Sequence, residues 1–216
     1  MALPTLLKID ASNRDAHYYI EEEHECFFFY EYTAREGPQF SDGNQFVFNL
    51  KKPVSAQNQT HYVYKNRAIS RAGSMLRAVF ERAPQIFQSA TFAPIPPSRI
   101  CTDPDYDDRM TRVITQACLG KNADVREIIC QRQSYEASHH KNSGARLKPH
   151  ELEALYYLMD PPPKPVVVLV DDVLTTGAHF VATRNTILAQ YPDTQVFGFF
   201  MARRIVPNPL DDFDVL

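Results

Sequence analysis

The sequence predicts an α/β fold with a largely parallel sheet flanked by helices. From about residue 90 to residue 201, short apolar runs alternate with longer segments in which apolar residues recur at helical spacing. Such alternation is typical of right-handed crossovers between parallel strands. The chain has 216 residues, of which 44% are apolar and 23% charged. This is enough for one main hydrophobic core and is ordinary for a globular protein.

The N-terminal part of the chain has a different pattern. Three aromatic and partly alternating runs, over residues 25–34, 44–52 and 60–65, are typical of strands, and Gly-Pro and Asp-Gly turns interrupt them. From residue 68 the spacing of apolar residues becomes helical. We therefore expect a small β-rich N-terminal subdomain over 1–67 and an α/β core over 68–216.

Within the core, helices and strands alternate in a predicted order. Helices are predicted from apolar stripes at positions i, i+3 and i+4, and from Asp, Pro or Gly at their ends. Strands are predicted from short runs rich in β-branched and aromatic residues. The order is helix 68–83, strand 90–95, helix 107–121, strand 126–131, helix 149–159, strand 166–170, helix 180–191 and strand 195–201.

A polar, aperiodic stretch over residues 132–148 separates two of these elements. It is longer than most connections in a compact domain, so we expect a functional or mobile loop. His139 and His140 lie within it. We interpret them as an exposed pair rather than as a metal site or a catalytic base, since a short motif in a polar loop is weak support for chemistry.

Two adjacent carboxylates, Asp171 and Asp172, directly follow the apolar run 166–170. Ligands of open parallel sheets bind at the carboxyl ends of the strands. Two neighbouring buried carboxylates repel each other, and their burial is unfavourable unless hydrogen-bond donors or a cation compensate. Vicinal sugar hydroxyls or a bound Mg²⁺ would supply that compensation.

The next residues, Thr175, Thr176 and Gly177, lead into a predicted helix. Backbone N–H groups at a helix N-terminus favour an anion, and glycine allows a close approach of the backbone to a ligand. Each half of the stretch 166–178 could be an ordinary loop start or helix cap. The ordered whole predicts a ribose diol on the two acids and a 5′-phosphate on the turn.

Residues 166–178 resemble the phosphoribosyl pyrophosphate (PRPP) binding motif of type I phosphoribosyltransferases at every position of that pattern. The wider layout over about 68–206 is most similar to ComF-type members. The resemblance implies an α/β core, Mg²⁺ as cofactor, and a small variable hood, here residues 1–67, that selects the acceptor. It implies that Asp171 and Asp172 hold the ribose and the metal and act in catalysis with Arg99. The residues implied to bind the 5′-phosphate are Val173, Leu174, Thr175, Thr176, Gly177 and Ala178.

Other basic residues are candidates for the rest of such a site. Ser98 and Arg99 stand where the family has its pyrophosphate loop, and Arg109 and Arg112 follow on the polar side of the next helix. The stretch 132–148 corresponds to the family's flexible flap, which closes over PRPP and excludes water. From this flap Lys141 and Arg146 would reach the pyrophosphate, and Arg203 and Arg204 would lie on the acceptor side. Each of the lysines and arginines among them is equally well explained as a solvated surface charge.

Two departures from the family pattern bear on the acceptor. Oxopurine salvage members have an acid where this chain has Thr175, so hypoxanthine or guanine is not expected. ComF-type members often carry an N-terminal cysteine zinc module, whereas this chain has only Cys26 in that region. Tyr30, Tyr32 or Phe40 would instead stack on a planar acceptor, although aromatic residues in such runs more often belong to a core.

Composition argues against several other classes of protein. The net charge of −3 argues against nucleic acid as a partner. The four cysteines form no C-x-x-C pair, which favours reduced thiols over a zinc site. Neither a secretory signal nor an apolar stretch of about 20 residues is found, so we expect a soluble cytoplasmic protein without a membrane partner. The resemblance also implies a possible homodimer.

The predicted reaction is transfer of the 5-phosphoribosyl group from PRPP to an unidentified nitrogenous acceptor, with release of pyrophosphate. A regulator that senses PRPP or a nucleotide without turnover would need the same phosphate-binding turn, and this alternative stays open. A receiver domain also has adjacent acids after an apolar strand, but this is its first strand, and only 44 residues follow Asp172 in this chain. A dehalogenase-like site needs D-x-D, whereas position 173 is Val. No G-x-G-x-x-G, Walker-type or H-E-x-x-H motif occurs.

Overall fold

The computed structural model of the chain describes residues 3–135 and 147–206. The strands are β1 (Leu7–Lys8), β2 (Glu25–Thr33), β3 (Ala90–Pro94), β4 (Asp124–Val125), β5 (Ile129–Gln131), β6 (Tyr156–Leu158), β7 (Val166–Leu174) and β8 (Gln195–Ile205). The α-helices are α1 (Asp42–Leu50), α2 (Val63–Phe80), α3 (Ile86–Ser89), α4 (Arg109–Ala117), α5 (Pro149–Glu153) and α6 (Ala178–Gln190). Short 3₁₀ turns lie between some of them.

The strands form a six-stranded sheet in the order β1-β2-β8-β7-β3-β4. Neighbours from β2 through to β4 pair in parallel, and β1 pairs with β2 antiparallel. β5 and β6 form a separate antiparallel pair. Helices pack on both faces of the sheet. The prediction of an α/β fold with a largely parallel sheet flanked by helices is therefore confirmed.

β7 lies between two helical layers and is apolar toward both. Val168 and Val170 pack with residues of α1, α2 and α4, whereas Val167 and Leu169 pack with residues of α5 and α6. Since successive side chains of a strand point to opposite faces, a strand covered on both faces needs apolar residues at consecutive positions. This explains why β7 begins with five consecutive apolar residues, 166–170.

The N-terminal segment differs from the separate β-rich subdomain that the sequence predicts. β2 pairs along most of its length with β8 inside the main sheet. The predicted boundary at residue 67 falls within α2. The residues predicted as a strand over 60–65 form a 3₁₀ turn and the start of α2. The first 67 residues therefore add one long strand to the core sheet rather than forming a sheet of their own.

The predicted strand over 44–52 is instead helix α1. Phe46, Val47 and Leu50 form a buried helical stripe, while Phe48 is 52% exposed. Strand-like alternation would place Phe46 and Phe48 on the same face. The Ser41 side chain accepts the N–H of Asn44 at 3.1 Å and so caps the helix.

Asn44 joins α1 to the end of β2. Its side-chain oxygen accepts the N–H of Thr33, and its amide nitrogen donates to the Thr33 carbonyl, both at 3.0 Å. These are the two hydrogen bonds that a neighbouring strand would make. Asn44 is 1% exposed. The contact holds α1 against the sheet, and Lys51 follows directly at the end of this helix.

Two other predicted elements differ from the structure. Of the strand predicted over 126–131, only 129–131 form a strand, β5, which lies in the small two-stranded sheet, whereas β4 of the main sheet precedes the predicted range. The helix predicted over 149–159 ends at Glu153, and β6 follows it because residues 156–158 pair with β5. No helix in the part of the chain that the structure describes is long and apolar enough to cross a bilayer.

Candidate functional site

Asp171 and Asp172 lie near the C-terminal end of β7. The paired part of β3 ends at Pro94, opposite Val170, so the two acids come just beyond the end of this neighbouring strand. Their side chains point to opposite faces of the sheet, since they are consecutive in a strand. The backbone N–H of Asp172 donates to Asp171 Oδ1 at 2.7 Å. The pair is thus divided between the two helical layers.

Asp172 is held by two cations on the α1 and α4 side. Lys51 Nζ lies 3.0 Å from Asp172 Oδ1, and Arg109 Nε lies 2.9 Å from Oδ2. A second guanidinium nitrogen of Arg109 also contacts Oδ2. The Asp172 side chain is 5% exposed. Both oxygens of this buried carboxylate are therefore in ion pairs with the protein itself.

The ion pairs continue from Arg109 into the core. Arg109 donates to Asp107 at 2.9 Å, and Asp107 pairs with the fully buried ammonium of Lys65. Lys65 also donates to the carbonyl of Lys52 at 2.6 Å, next to Lys51 in the chain. Burial lowers the pKa of Lys65, although its hydrogen bond to Asp107 opposes the shift. The charges thus form one network joining the end of α1 to α2 and the start of α4.

The pKa values of the two acids are shifted in opposite directions. Burial raises the pKa of Asp171, and the neighbouring Asp172 carboxylate adds to the rise. Burial would also raise the pKa of Asp172, but Lys51 and Arg109 outweigh it and hold this pKa below its ordinary value. The charge of the pair is therefore concentrated on Asp172, and the ionised form of Asp171 is the costly one.

The turn over residues 175–177 is covered on one side by the N-terminal segment. The carbonyl of Thr175 contacts the buried ring of His17 through Nδ1, and the carbonyl of Thr176 accepts the N–H of Tyr19 at 2.8 Å. Because the C=O and N–H of a trans peptide point in opposite directions, the N–H groups of Thr176 and Gly177 point away from this segment.

Gly177 ends the turn with a φ of +87° and immediately precedes α6. The first N–H groups of a helix have no carbonyl partner within the helix, and the positive end of the helix dipole lies there. Thr175 and Thr176 are both half-buried. This turn can bind an anion such as a phosphate group. The predicted turn, strand end and helix start are all present.

A cluster of aromatic side chains lies at the start of α6. The hydroxyl of Tyr156 is 3.2 Å from Nδ1 of His179, and the ring of Tyr135 is stacked on His179 with centroids 6.2 Å apart. Burial lowers the pKa of His179 to about 4, so its imidazole is neutral near pH 7. Asp171 influences both tyrosines, because its charge adds to the burial that raises the pKa of each hydroxyl.

Arg109, rather than Arg99, is the arginine that contacts the acidic pair. A cleft beside Asp171 is lined by Ile95, Tyr106 and Arg109. Arg99 lines a neighbouring cleft, and its guanidinium lies 3.6 Å from Asp103. The carbonyl of Ser98 accepts the N–H of Tyr135 at 3.0 Å, which ties the predicted pyrophosphate loop to the segment before residue 136. The described geometry does not bring Arg99 to Asp171.

The other predicted residues are dispersed. Arg112 donates to Asn66 at 2.7 Å and is half-exposed. Arg203 pairs with Glu31 and lies over the Phe28 ring. Arg204 is the next residue of β8. Lys141, Arg146, His139 and His140 lie outside the described residues.

The aromatic residues considered for acceptor stacking have different surroundings. Tyr30 packs on Phe46 with ring centroids 5.1 Å apart, and Tyr32 packs against the core cluster. Phe40 is 58% exposed. Tyr30 and Tyr32 therefore take part in packing between β2 and the helical layer, and Phe40 is the accessible ring of the three.

The predicted metal role of Asp172 disagrees with the geometry. A metal ion on Asp172 would face the charges of Lys51 and Arg109, which already occupy both carboxylate oxygens. Across residues 3–135 and 147–206, no group of three or more His, Cys, Asp or Glu side chains is arranged to hold a metal ion. Mg²⁺ in proteins is usually bound by one or two carboxylates together with substrate phosphates, so a Mg²⁺ ion that PRPP brings to Asp171 stays a prediction. The described residues do not fit a protein-bound Mg²⁺ at Asp172.

Lys51, Lys65 and His179 were not predicted as parts of the site. Lys51 and Lys65 lie in segments without a recognisable motif, and their relation to Asp172 and Asp107 depends on the tertiary fold. His179 stands two positions after Gly177, where the sequence offered a local signal: a polar ring in the first turn of the helix that follows a phosphate-binding turn.

Neither a search against protein-family models nor a search of curated proteins found a match to the chain. Function is therefore inferred from the residues of the site.

Proposed function

We propose that this protein binds PRPP and transfers its 5-phosphoribosyl group to a nitrogenous acceptor, releasing pyrophosphate. The single observation that carries the proposal is the placement of Asp171 and the N-terminus of α6 at the same carboxyl edge of a parallel sheet. An acid and an anion-binding turn at this edge match a ribose diol and a 5′-phosphate, the two ends of one sugar phosphate.

The chemistry of Asp171 supports a ribose contact. Its carboxylate is costly to ionise because of burial and the neighbouring Asp172. Two hydroxyl donors would stabilise the ionised form, since hydrogen bonds to a charged group contribute about 1.5–3 kcal/mol each. The phosphate would be bound by the N–H groups of Thr176, Gly177 and the first turn of α6, with help from the two threonine hydroxyls.

In the proposed reaction, the bond between ribose C1 and the diphosphate oxygen breaks, and the diphosphate leaves with the bonding pair. The acceptor nitrogen forms the new bond to C1 and then loses its proton to solvent. Positive charge develops on the ribose and negative charge on the leaving group, so positioning and electrostatics do most of the work. Asp171 would stabilise the ribose charge, and Arg109 is a better candidate than Arg99 for the side of the leaving group.

A regulator that binds PRPP or a nucleotide without turnover is the second candidate. The ion pairs of Asp172 favour it, because they leave this carboxylate less available to a reacting sugar. Both candidates require the sugar phosphate to bind, and only the enzyme requires pyrophosphate to be released.

Calorimetry with PRPP, ribose 5-phosphate and nucleoside monophosphates tests the proposal. Wild-type protein should bind PRPP and ribose 5-phosphate, and Asp171→Asn should weaken both by about tenfold or more. Asp108→Asn removes an exposed carboxylate from the N-terminus of α4 and serves as the control, with unchanged affinity expected. Equal affinities in the Asp171→Asn variant and the wild type would refute the site. Release of pyrophosphate from PRPP in the presence of mixed acceptors distinguishes the enzyme from the regulator.

A further inference from the structure

We propose that Lys51 is a built-in counterion that, with Arg109, takes the place of a divalent cation at Asp172. Asp172 is then free of metal in the unliganded protein. The inference goes beyond the proposed function, since it concerns the protein alone and holds for whichever sugar phosphate the site binds.

The position of Lys51 is set by a helix that belongs to the core. Phe46, Val47 and Leu50 of α1 are buried, and the N–H of Lys51 donates to the carbonyl of Val47 at 2.9 Å. The bonds of Asn44 to Thr33 attach the same helix to β2. The Lys51 side chain is 32% exposed, so it reaches Asp172 from the solvent side of a fixed backbone. A lysine placed in this way is not a mobile surface charge.

The electrostatics of Asp172 explain why Lys51 is needed. A carboxylate that is 5% exposed requires compensation by charge and hydrogen bonds. Arg109 supplies part of it but is shared with Asp107. Lys51 completes the neutralisation by contacting the other oxygen at 3.0 Å. The protein thereby provides two positive charges at one carboxylate, the same total that a divalent cation would bring.

The same arrangement excludes a metal ion from Asp172. An incoming Mg²⁺ or Mn²⁺ would lie close to an ammonium and a guanidinium, and like charges at such distances repel strongly in a buried site. Asp107, the next carboxylate of the network, is already engaged by Arg109 and Lys65. Removing the Lys51 charge should therefore create a vacancy for a cation that the wild type lacks.

Binding of Mn²⁺, followed by electron paramagnetic resonance of the free ion, tests this prediction without any sugar ligand. Wild-type protein should leave Mn²⁺ essentially free at millimolar concentration. Lys51→Met should bind Mn²⁺ at least about tenfold more tightly, and adding Asp172→Asn should abolish the gain. Lys52→Met is a matched control, because Lys52 is the adjacent residue and its ammonium lies over the Phe48 ring, 4.2 Å from the centroid. This control should bind Mn²⁺ no better than the wild type.

Two results would overturn the proposal. One is tight Mn²⁺ binding by the wild type that Asp172→Asn removes, which would show that Lys51 does not exclude the ion. The other is a Lys51→Met variant that is folded by circular dichroism and binds Mn²⁺ no better than Lys52→Met. Lys51→Gln gives the same comparison if the methionine variant does not fold. Neither result depends on whether PRPP binds, so failure here is distinct from failure of the proposed function.

Discussion

Gly177 is packed directly against the side chain of Ile20. A Cβ atom added to Gly177 would lie 2.6 Å from Ile20 Cδ1 and 2.7 Å from Cγ1. The glycine also has a φ of +87°, a conformation that other residues rarely adopt. The N-terminal segment is therefore fitted to the glycine of the anion-binding turn, and the turn and its cover have to form together.

Gly177→Ala should destabilise the protein by about 2–4 kcal/mol, because backbone strain and the clash with Ile20 add up. Gly120→Ala is the control. Gly120 has a similar φ of +73° with no atom within 4 Å of the added Cβ, so it should cost only the strain of about 1 kcal/mol. Urea unfolding measures the loss of stability in both variants. Equal losses would show that the contact between residue 177 and Ile20 is unimportant.

Arg109→Met should destabilise the protein by about 3 kcal/mol, since it removes a cation shared by two carboxylates, Asp107 and Asp172, of which Asp172 is buried. Arg112→Met changes a half-exposed arginine one turn later in α4, and should lower the free energy of unfolding by about 0.5 kcal/mol or less. Combining Arg109→Met with Asp172→Asn should recover part of the loss. Chemical denaturation of the four proteins compares these effects, and similar losses in the two single variants would contradict the role of the network.

Asp171→Asn should stabilise the protein, and more so at pH 8 than at pH 5. Burial and Asp172 raise the pKa of Asp171 above its ordinary value of 3.8. The folded wild type therefore holds a proton that the unfolded chain releases above pH 3.8. The free energy of unfolding of the wild type therefore falls as the pH rises from 3.8 through the raised pKa of Asp171. The asparagine variant has no carboxyl group at this position and does not show this fall.

The expected gain at pH 8 relative to pH 5 is about 1 kcal/mol or more in the free energy of unfolding. Asp108→Asn, at an exposed position, should show the same difference from wild type at both pH values. A stability difference for Asp171→Asn that is constant between pH 5 and pH 8 would contradict the assignment. A variant that is more stable but binds sugar phosphate less well would identify Asp171 as a residue kept for binding.

The features that the sequence predicted correctly are local ones. Within 13 consecutive residues, 166–178, lie the apolar run of β7, the two acids and the Thr-Thr-Gly turn. Any fold in which this segment forms a strand followed by a helix places the acids at the strand end and the turn at the helix start. The alternation of the core likewise depends on short-range periodicity. The PRPP site, the acceptor and the enzymatic activity stay predictions.

The features that were missed depend on contacts between distant segments. The run over 44–52 is aromatic enough for a strand, and the decisive signals were the cap at Ser41 and the exposed position of Phe48. The pairing of Lys51 with Asp172 requires α1 to pack beside β7, which no local pattern encodes. Arg99 was favoured over Arg109 from its place in a loop, whereas the fold turns Arg109 toward the acids.

The pairing of β2 with β8 has a consequence for how the chain is made. Glu31 and Arg203, bonded across these strands, are 172 positions apart. On the ribosome, the aromatic strand β2 emerges early and has no partner in this sheet except β1 until β8 has been synthesised. Sheets closed by such distant segments fold slowly and expose unpaired edges meanwhile. Nascent chains stalled before β8 should therefore depend on chaperones to avoid aggregation.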